Sequence, residues 1–442
     1  MKILKFGGTS VGTAESIRNV KEILEQSPGE KIVVVSAMAG VTNLLVSLAE
    51  TAYAGNRGKA FSILEQIREK HNGLIEDLLK EDVAETASRE LQIIFDGLRS
   101  IIEEDFTSDT YSRIITSGEK MLSLIFSIFL AQEGLENDLL NSADFMHVDN
   151  VENPEIDQVG NKLQKILREL HSGTYIAQGF IRVDNQGSIG TLKRGGSDYT
   201  ATIIAAAVNA SEVQIWTDID GFHNNDPRFV EHTHPLEDLT FEEAAELAYF
   251  GAKILHPQTV SPVKDKDIPI FLKNTFTPSA PGTRISSRVL RKGLKAISAK
   301  DGITAIKIKS NRMLMAHGFL KKIFEIFDKH ETAIDMITTS EIAISLTIDD
   351  EKNLPAILEE LKSYGQISVD REHSIICIVG EGVIDDRETF RLFEILNDLP
   401  VRMISYGGSQ NNISLLVDQQ NKIKALRLLN QKLFEEKTLL KT

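Results

Sequence analysis

Ile3-Leu4-Lys5-Phe6, then Ala14–Gln26, then Ile32-Val33-Val34-Val35-Ser36-Ala37 read as a short apolar opening, a segment with apolar residues at helical spacing, and a continuous β-branched run. The last is the pattern of a strand buried on both faces. Strand, helix, strand in that order argues a parallel α/β sheet. The alternation returns downstream, with strand-like runs at Tyr175–Ile181, Glu212–Thr217 and Ile268–Lys273 and helical patterns at Thr200–Asn209 and Phe241–Leu255. From about residue 44 to 134 the pattern is almost wholly helical, as in Phe61–Lys70 and Glu90–Ile102, so a helical insert is expected to interrupt the sheet. The α/β domain is expected to span residues 1–295.

The last third repeats itself. Phe324-Glu325-Ile326 recurs as Phe393-Glu394-Ile395, Ile344-Ser345-Leu346 as Ile413-Ser414-Leu415, and Asp335-Met336-Ile337 is answered by Arg402-Met403-Ile404. Each copy reads helix, strand, tight turn, strand, with a further strand ahead of the helix at Thr304–Lys309 or Ile375–Val379. Two small β-α-β-β units are expected, at 296–374 and 375–442, with strands exchanged between them allowed for. By analogy, such a pair fused to a larger α/β domain suggests a regulatory module.

Composition narrows the function. The 442 residues include 64 acidic and 49 basic side chains, a net charge of −15 that repels nucleic acid and anionic membranes in the absence of a basic patch. The lone cysteine, Cys377, sits in an apolar run and excludes an intrachain disulfide, which points to a reducing compartment. Met121–Ala131 is too short for a membrane span, and MKILKFGGTSVG carries no secretory h-region, so a cytoplasmic protein is expected. The ten histidines include no HExxH, and His232-Thr233-His234 is an isolated HxH, so no protein-held metal is expected.

Several motifs suit anionic ligands. Lys5-Phe6-Gly7-Gly8-Thr9-Ser10 joins a strand to a helix, where glycine N–H groups and a lysine can face phosphate; it also fits a plain turn. Leu192-Lys193-Arg194-Gly195-Gly196-Ser197-Asp198 opens a second helix with a guanidinium suited to a carboxylate or phosphate, although Ser197 or Asp198 also fits an ordinary N-cap. Trp216-Thr217-Asp218-Ile219-Asp220-Gly221 ends a strand, at the sheet edge where open α/β proteins bind ligands. Asn225-Asp226-Pro227-Arg228 reads as a turn, and Gly251-Ala252-Lys253 ends a helix.

KFGGTSVGT at 5–13, SAMAGVTNLL at 36–45, SGEKMLS at 117–123, QGFI at 178–181, LKRGGSDYTA at 192–201, WTDIDG at 216–221, NDPR at 225–228 and FGAKILHP at 250–257 occur in the order seen in aspartokinases. The chain resembles the monofunctional, lysine-sensitive type over essentially its whole length, with GFL at 318–320 and DMITTSE at 335–341 similar to that type's first ACT domain. The resemblance implies an amino-acid-kinase-like, mainly parallel sheet with helices on both faces, followed by two ferredoxin-like ACT units. It implies ATP-dependent phosphorylation of the side-chain carboxylate of L-aspartate to 4-phospho-L-aspartate, with feedback inhibition by L-lysine and Mg²⁺ carried by ATP.

Residue by residue, the resemblance implies Lys5, Asp198 and Lys253 as catalytic groups, and Thr42, Glu119, Arg194, Ser197 and Asp198 as the aspartate site. ATP would meet Lys5, Phe6, Gly7, Gly8, Ser10, Thr217, Asp218, His223, Arg228 and Lys253. The effector would meet Met313, Gly318, Leu320, Asp335, Ser340 and Glu341, where carboxylates favour a cationic amino acid, at an interface formed by ACT units of a homo-oligomer. Two departures stand out: His223 replaces the family's common tyrosine, and Ala316 the serine usual in the lysine-sensitive type. The rivals are an inactive ACT-type amino-acid sensor and a kinase of different acceptor specificity.

Overall fold

The computed structural model describes residues 1–193, 195–252, 254–310, 317–386, 389, 391–397 and 399–435, the side chain at 393 excepted. The chain divides into two compact units. The first holds Met1–Phe222, Glu237–Phe241 and Leu255–Ser287; the second holds His223–Leu236, Glu242–Ile254 and Arg288–Thr442.

In chain order the elements begin β1 (Lys2–Phe6), α1 (Ala14–Glu25), β2 (Lys31–Val35), α2 (Val41–Tyr53), α3 (Arg57–Leu78), α4 (Glu81–Glu103), α5 (Ser108–Ile115) and α6 (Ser117–Gln132). They continue β3 (Asp138–Leu139), α7 (Ile156–Leu167), β4 (Thr174–Gln178), β5 (Ile181–Val183), β6 (Ile189–Thr191), α8 (Gly196–Val208), β7 (Val213–Thr217), β8 (Asp238–Thr240) and α9 (Phe241–Tyr249). Next come α10 (Ser261–Lys264), β9 (Ile270–Asn274) and β10 (Thr283–Ser286).

The first unit is built on an eight-stranded sheet in the order β3-β4-β2-β1-β7-β9-β10-β8. The strands from β3 to β9 run parallel, and β10 turns antiparallel against β9. Every residue of β2 is buried, as its uniform β-branched run requires. Helix α1 starts on a capping box between Thr13 and Ser16 and buries Ile17, Val20, Ile23 and Leu24 at helical spacing. The insert helices α2–α6 join the same core, with Phe95, Phe126 and Phe129 among its largest side chains.

Residues 108–132 are long and apolar enough to cross a membrane, but 72% of their most apolar window is buried inside the protein. They form α5 and α6, whose apolar side chains serve the core of the insert.

Helix α8 is rich in small residues, and α7 lies close against it. A Cβ on Gly160 would stand 2.8 Å from the Ala207 carbonyl oxygen, a backbone atom that cannot rotate away. Gly160→Ala is therefore expected to destabilise the fold by about 1–3 kcal/mol, read as a lower urea midpoint at unchanged slope.

The second unit holds α9 and continues β11 (Gly293–Lys309), α11 (Phe319–Lys329), β12 (Ile337–Thr339), β13 (Ala343–Ile348), α12 (Leu354–Leu361), β14 (Gln366–Glu381), α13 (Arg391–Ile395), β15 (Val401–Ser405), β16 (Asn412–Asp418) and α14 (Lys422–Asn430). Its sheet has the order β12-β13-β11-β14-β16-β15 and is antiparallel throughout. Strand β11 serves both sequence repeats: Thr304–Lys309 pair with β13 of the first, while Gly293–Lys300 pair with the Ile375–Glu381 half of β14 that opens the second. Two apolar clusters lie against this sheet, one around Ile323, Phe327 and Ile357, the other around Ile413, Leu426 and Leu429.

Candidate active site

The motifs of the first unit gather where β1, β2 and β4 end. After Phe6 the chain turns through Gly7 and Gly8, with Gly7 N–H donating to the Trp216 carbonyl at 3.1 Å and Ser10 N–H to the Gly7 carbonyl at 2.9 Å. A Cβ on Gly8 would meet the Ala37 carbonyl oxygen at 2.9 Å, so only glycine lets the loop after β1 approach the loop after β2 this closely. Across the sheet, a Cβ on Gly179 would fall 2.5 Å from Ser197 Cβ, which brings the turn after β4 onto the first turn of α8.

That helix start carries Asp198, whose Oδ1 lies 2.5 Å from Lys5 Nζ, with both side chains largely buried. The Lys5 ammonium reaches back over the glycine loop, 3.5 Å from the position of a Gly7 Cβ. A cation paired in this way is held at one spot over the glycine loop, where it can oppose phosphate charge.

Glu119, in the first turn of α6, is 3% exposed. Its Oε1 accepts the Ala37 N–H at 3.2 Å, and its Oε2 is buried with no hydrogen-bond partner. Burial pushes its pKa up to about 8, against a smaller opposing pull from backbone N–H groups. A buried carboxylate with one oxygen unmet asks for a cationic ligand.

Among the other site residues expected from sequence, Thr42 and Ser197 lie half-buried in the first turns of α2 and α8. Phe6 is fully buried and stacks on Trp216 with ring centroids 5.9 Å apart, so a ligand could reach only its backbone. The Ser10 hydroxyl is buried, 2.7 Å from Thr275 Oγ1, and fixes the loop from within. Thr275 was not legible as a partner: it follows β9, far along the chain, and only the parallel sheet brings it to the β1 loop. Thr217 donates to Asp218 Oδ1 at 3.0 Å in this unit. Arg194 and Lys253 lie outside the described residues.

His223 and Arg228 belong to the second unit. His223 Nδ1 is 3.0 Å from Thr233 Oγ1, and the exposed Arg228 guanidinium grips Asp226, its Nη2 2.6 Å from Oδ2. Of the expected effector residues, Gly318 caps the start of α11 and Leu320 is exposed on it. Asp335 precedes β12, while Ser340 and Glu341 form the turn after it, with Ser340 N–H donating to the Ala343 carbonyl at 2.8 Å. Met313 and Ala316 lie outside the described residues. Tyr249 and Lys300 are both bonded to Asp335, and nothing in the local sequence pattern joins α9, β11 and the β12 approach.

Comparison with known proteins adds to this geometry. Residues 1–274 match the amino acid kinase family, and residues 306–358 and 376–433 match the ACT domain. The chain is 32% identical to the lysine-sensitive aspartokinase 3 of Escherichia coli, over 98% of this chain and 99% of that one. It is 34% identical to the chloroplastic aspartokinase 3 of Arabidopsis thaliana, over 99% and 82% of the two chains. Among solved structures it resembles E. coli aspartokinase III in complex with aspartate and ADP, described as the R-state, with TM-score 0.87 and 30% identity over 98% of this chain and 100% of that one. The same enzyme with lysine and aspartate, described as the T-state, gives TM-score 0.82 at 30% identity, over 98% of this chain and 99% of that one.

Proposed function

Because the chain belongs to the amino acid kinase family and, within it, to the aspartokinases, we propose that the site at the ends of β1, β2 and β4 phosphorylates the side-chain carboxylate of L-aspartate with ATP. The observation that carries this reading is the convergence of the Lys5–Asp198 pair on a glycine loop in the unit that also holds Glu119 with its unmet oxygen.

The chemistry asks little of the protein beyond positioning and charge. A free aspartate side chain has a pKa near 3.9, so the nucleophile is ionised at neutral pH and needs no general base. One of its oxygens forms the new bond to the γ-phosphorus as the bond to the β,γ-bridging oxygen breaks; the products are the acyl phosphate and ADP. Lys5, held over the glycine loop, opposes the charge on the transferred group, and Asp198 holds Lys5 in place. Glu119 takes the substrate ammonium, while Thr42, Ser197 and Arg194 take the rest of the amino acid. Ser10 sets the loop, and Thr217 and Asp218 belong to the nucleotide side. His223, Arg228 and Lys253 are assigned to the nucleotide by the resemblance alone.

Among the described residues no three carboxylate, histidine or cysteine side chains gather into a metal cage. Mg²⁺ is proposed to arrive on the ATP phosphates, where it would neutralise part of their charge. L-Lysine is the proposed effector, bound by Asp335, Ser340 and Glu341 with Met313, Gly318 and Leu320. The homo-oligomer through the ACT units and residence in the cytoplasm belong to the same proposal; the buried free thiol of Cys377 suits a reducing compartment.

Turnover of Mg·ATP with L-aspartate, L-glutamate or carbamate, trapping acyl phosphate with hydroxylamine, tests the reading. Hydroxamate from aspartate alone, suppressed by L-lysine, is the expected result. Amino-acid binding without turnover of any acceptor would instead make the chain a sensor.

A further inference from the structure

The two oxygens of Asp335 have unequal surroundings. The side chain is fully buried. Its Oδ1 accepts from Lys300 Nζ and from the Tyr249 hydroxyl, both at 2.8 Å. Its Oδ2 is buried and accepts nothing. Lys300 is itself shared: its ammonium lies 2.7 Å from Asp349 Oδ2 and 4.3 Å from the centre of the Tyr249 ring. Two carboxylates thus divide a single ammonium, and the cluster carries one surplus negative charge beside an unmet buried oxygen.

An ion pair with a purely structural role would be satisfied by its own partners, since a lone pair of electrons left buried without a donor costs stability. Here the internal cation is bonded to one oxygen of the carboxylate, and the other is buried without a partner. The raised pKa of Asp335, which burial causes and Lys300 only partly offsets, agrees with a site short of positive charge.

We propose that Lys300 sets the affinity of the cationic effector. Its ammonium orients Asp335 through Oδ1 and, by like charge, opposes the ligand ammonium that binds at Oδ2. The effector therefore binds against a built-in competitor of its own chemistry, and the strength of feedback is tuned by Lys300 as much as by the groups that touch the ligand. This inference rests on the reading of Asp335 as an effector residue.

Isothermal titration of the full chain with L-lysine tests it, using wild type, Lys300→Met, Lys300→Gln, Lys300→Arg and Asp335→Asn. Removing the charge is expected to tighten binding about tenfold in both Lys300→Met and Lys300→Gln, within the range typical of coupled sites. Lys300→Arg, which keeps the charge, is expected to stay within about twofold of wild type, and Asp335→Asn to lose binding. The two neutral variants guard against one of them failing to fold. Unchanged or weaker binding in the neutral variants, with binding lost in Asp335→Asn, overturns the role of Lys300 and leaves the effector site standing. Unchanged binding in Asp335→Asn overturns the effector site itself, and the role of Lys300 with it. Uptake by a neutral variant but not by wild type would support the proposal; no uptake by any of them would overturn it.

Discussion

Replacing Lys5 with methionine is expected to lower kcat by about 10²–10³-fold at saturating aspartate and ATP, the usual cost of removing one preorganised electrostatic contact to the transition state. The geometry explains why the loss should fall on kcat rather than on ground-state binding. Lys5 projects from the end of β1 over the glycine loop, and Asp198 pins its ammonium at 2.5 Å before any ligand arrives. Charge built up on the phosphoryl group in flight then meets a cation that need not move. Asp198→Asn frees the same ammonium without deleting it, so it should cost less in kcat than Lys5→Met. Steady-state ADP release gives both numbers, and a thermal melt of each variant separates lost chemistry from lost fold. Equal kcat in Lys5→Met and wild type would remove Lys5 from the mechanism.

Aspartate binding is expected to strengthen as pH rises from about 6 to 8 and then to level off. Glu119 is held near pKa 8 by burial, so below that value the empty site is mostly protonated and cannot pair with the substrate ammonium. Binding must expel the proton, and each unit of pH below the folded pKa weakens affinity by up to about tenfold. Glu119→Gln should bind weakly at every pH and flatten the profile. Folding stability moves in the opposite sense. The folded state keeps a proton that the unfolded chain loses at about 4.5, so the cost of a charged Glu119 enters above that pH and is complete once pH passes about 8. Glu119→Gln should therefore melt higher than wild type at pH 9 and much as wild type does at pH 4. Aspartate titration calorimetry in two buffers of different ionisation enthalpy reads the released proton directly; no proton release at pH 7 would contradict the assignment.

The sequence carried the regular parts of this architecture where side-chain pattern and backbone state agree. The run at 32–37 could serve no solvent-facing strand; its first four residues lie in the fully buried β2, which ends at Val35. Strands β7 and β9 lie within two residues of their expected limits. The expected strand Tyr175–Ile181 is broken in two, because Phe180 takes a left-handed backbone with φ 70° between β4 and β5. Strands β8 and β10 are short, pair with each other across the sheet edge and have no apolar alternation, so nothing local marks them. Residues 293–303 carry no clear strand pattern: Ser298, Lys300, Asp301 and Gly302 interrupt the apolar run, and the pairing with β14 shifts register at several places along β11. At the site, glycine, lysine and carboxylate motifs pointed to the right chemistry, but which oxygen stays unmet depends on contacts between distant segments. The Ala37 N–H on Glu119 and the Tyr249 hydroxyl on Asp335 are such contacts.

Strand β11 also bears on how this protein could have changed over time. A duplicated module ordinarily leaves each copy free to be lost, exchanged or recombined by itself. Here one continuous strand supplies hydrogen-bonding edges to both copies, with Gly293–Lys300 in one and Thr304–Lys309 in the other. Excising either copy would strip a ladder from its neighbour and expose an unpaired edge. The duplicated pair is therefore indivisible: a recombination breakpoint is hardly tolerable anywhere from β11 to α14.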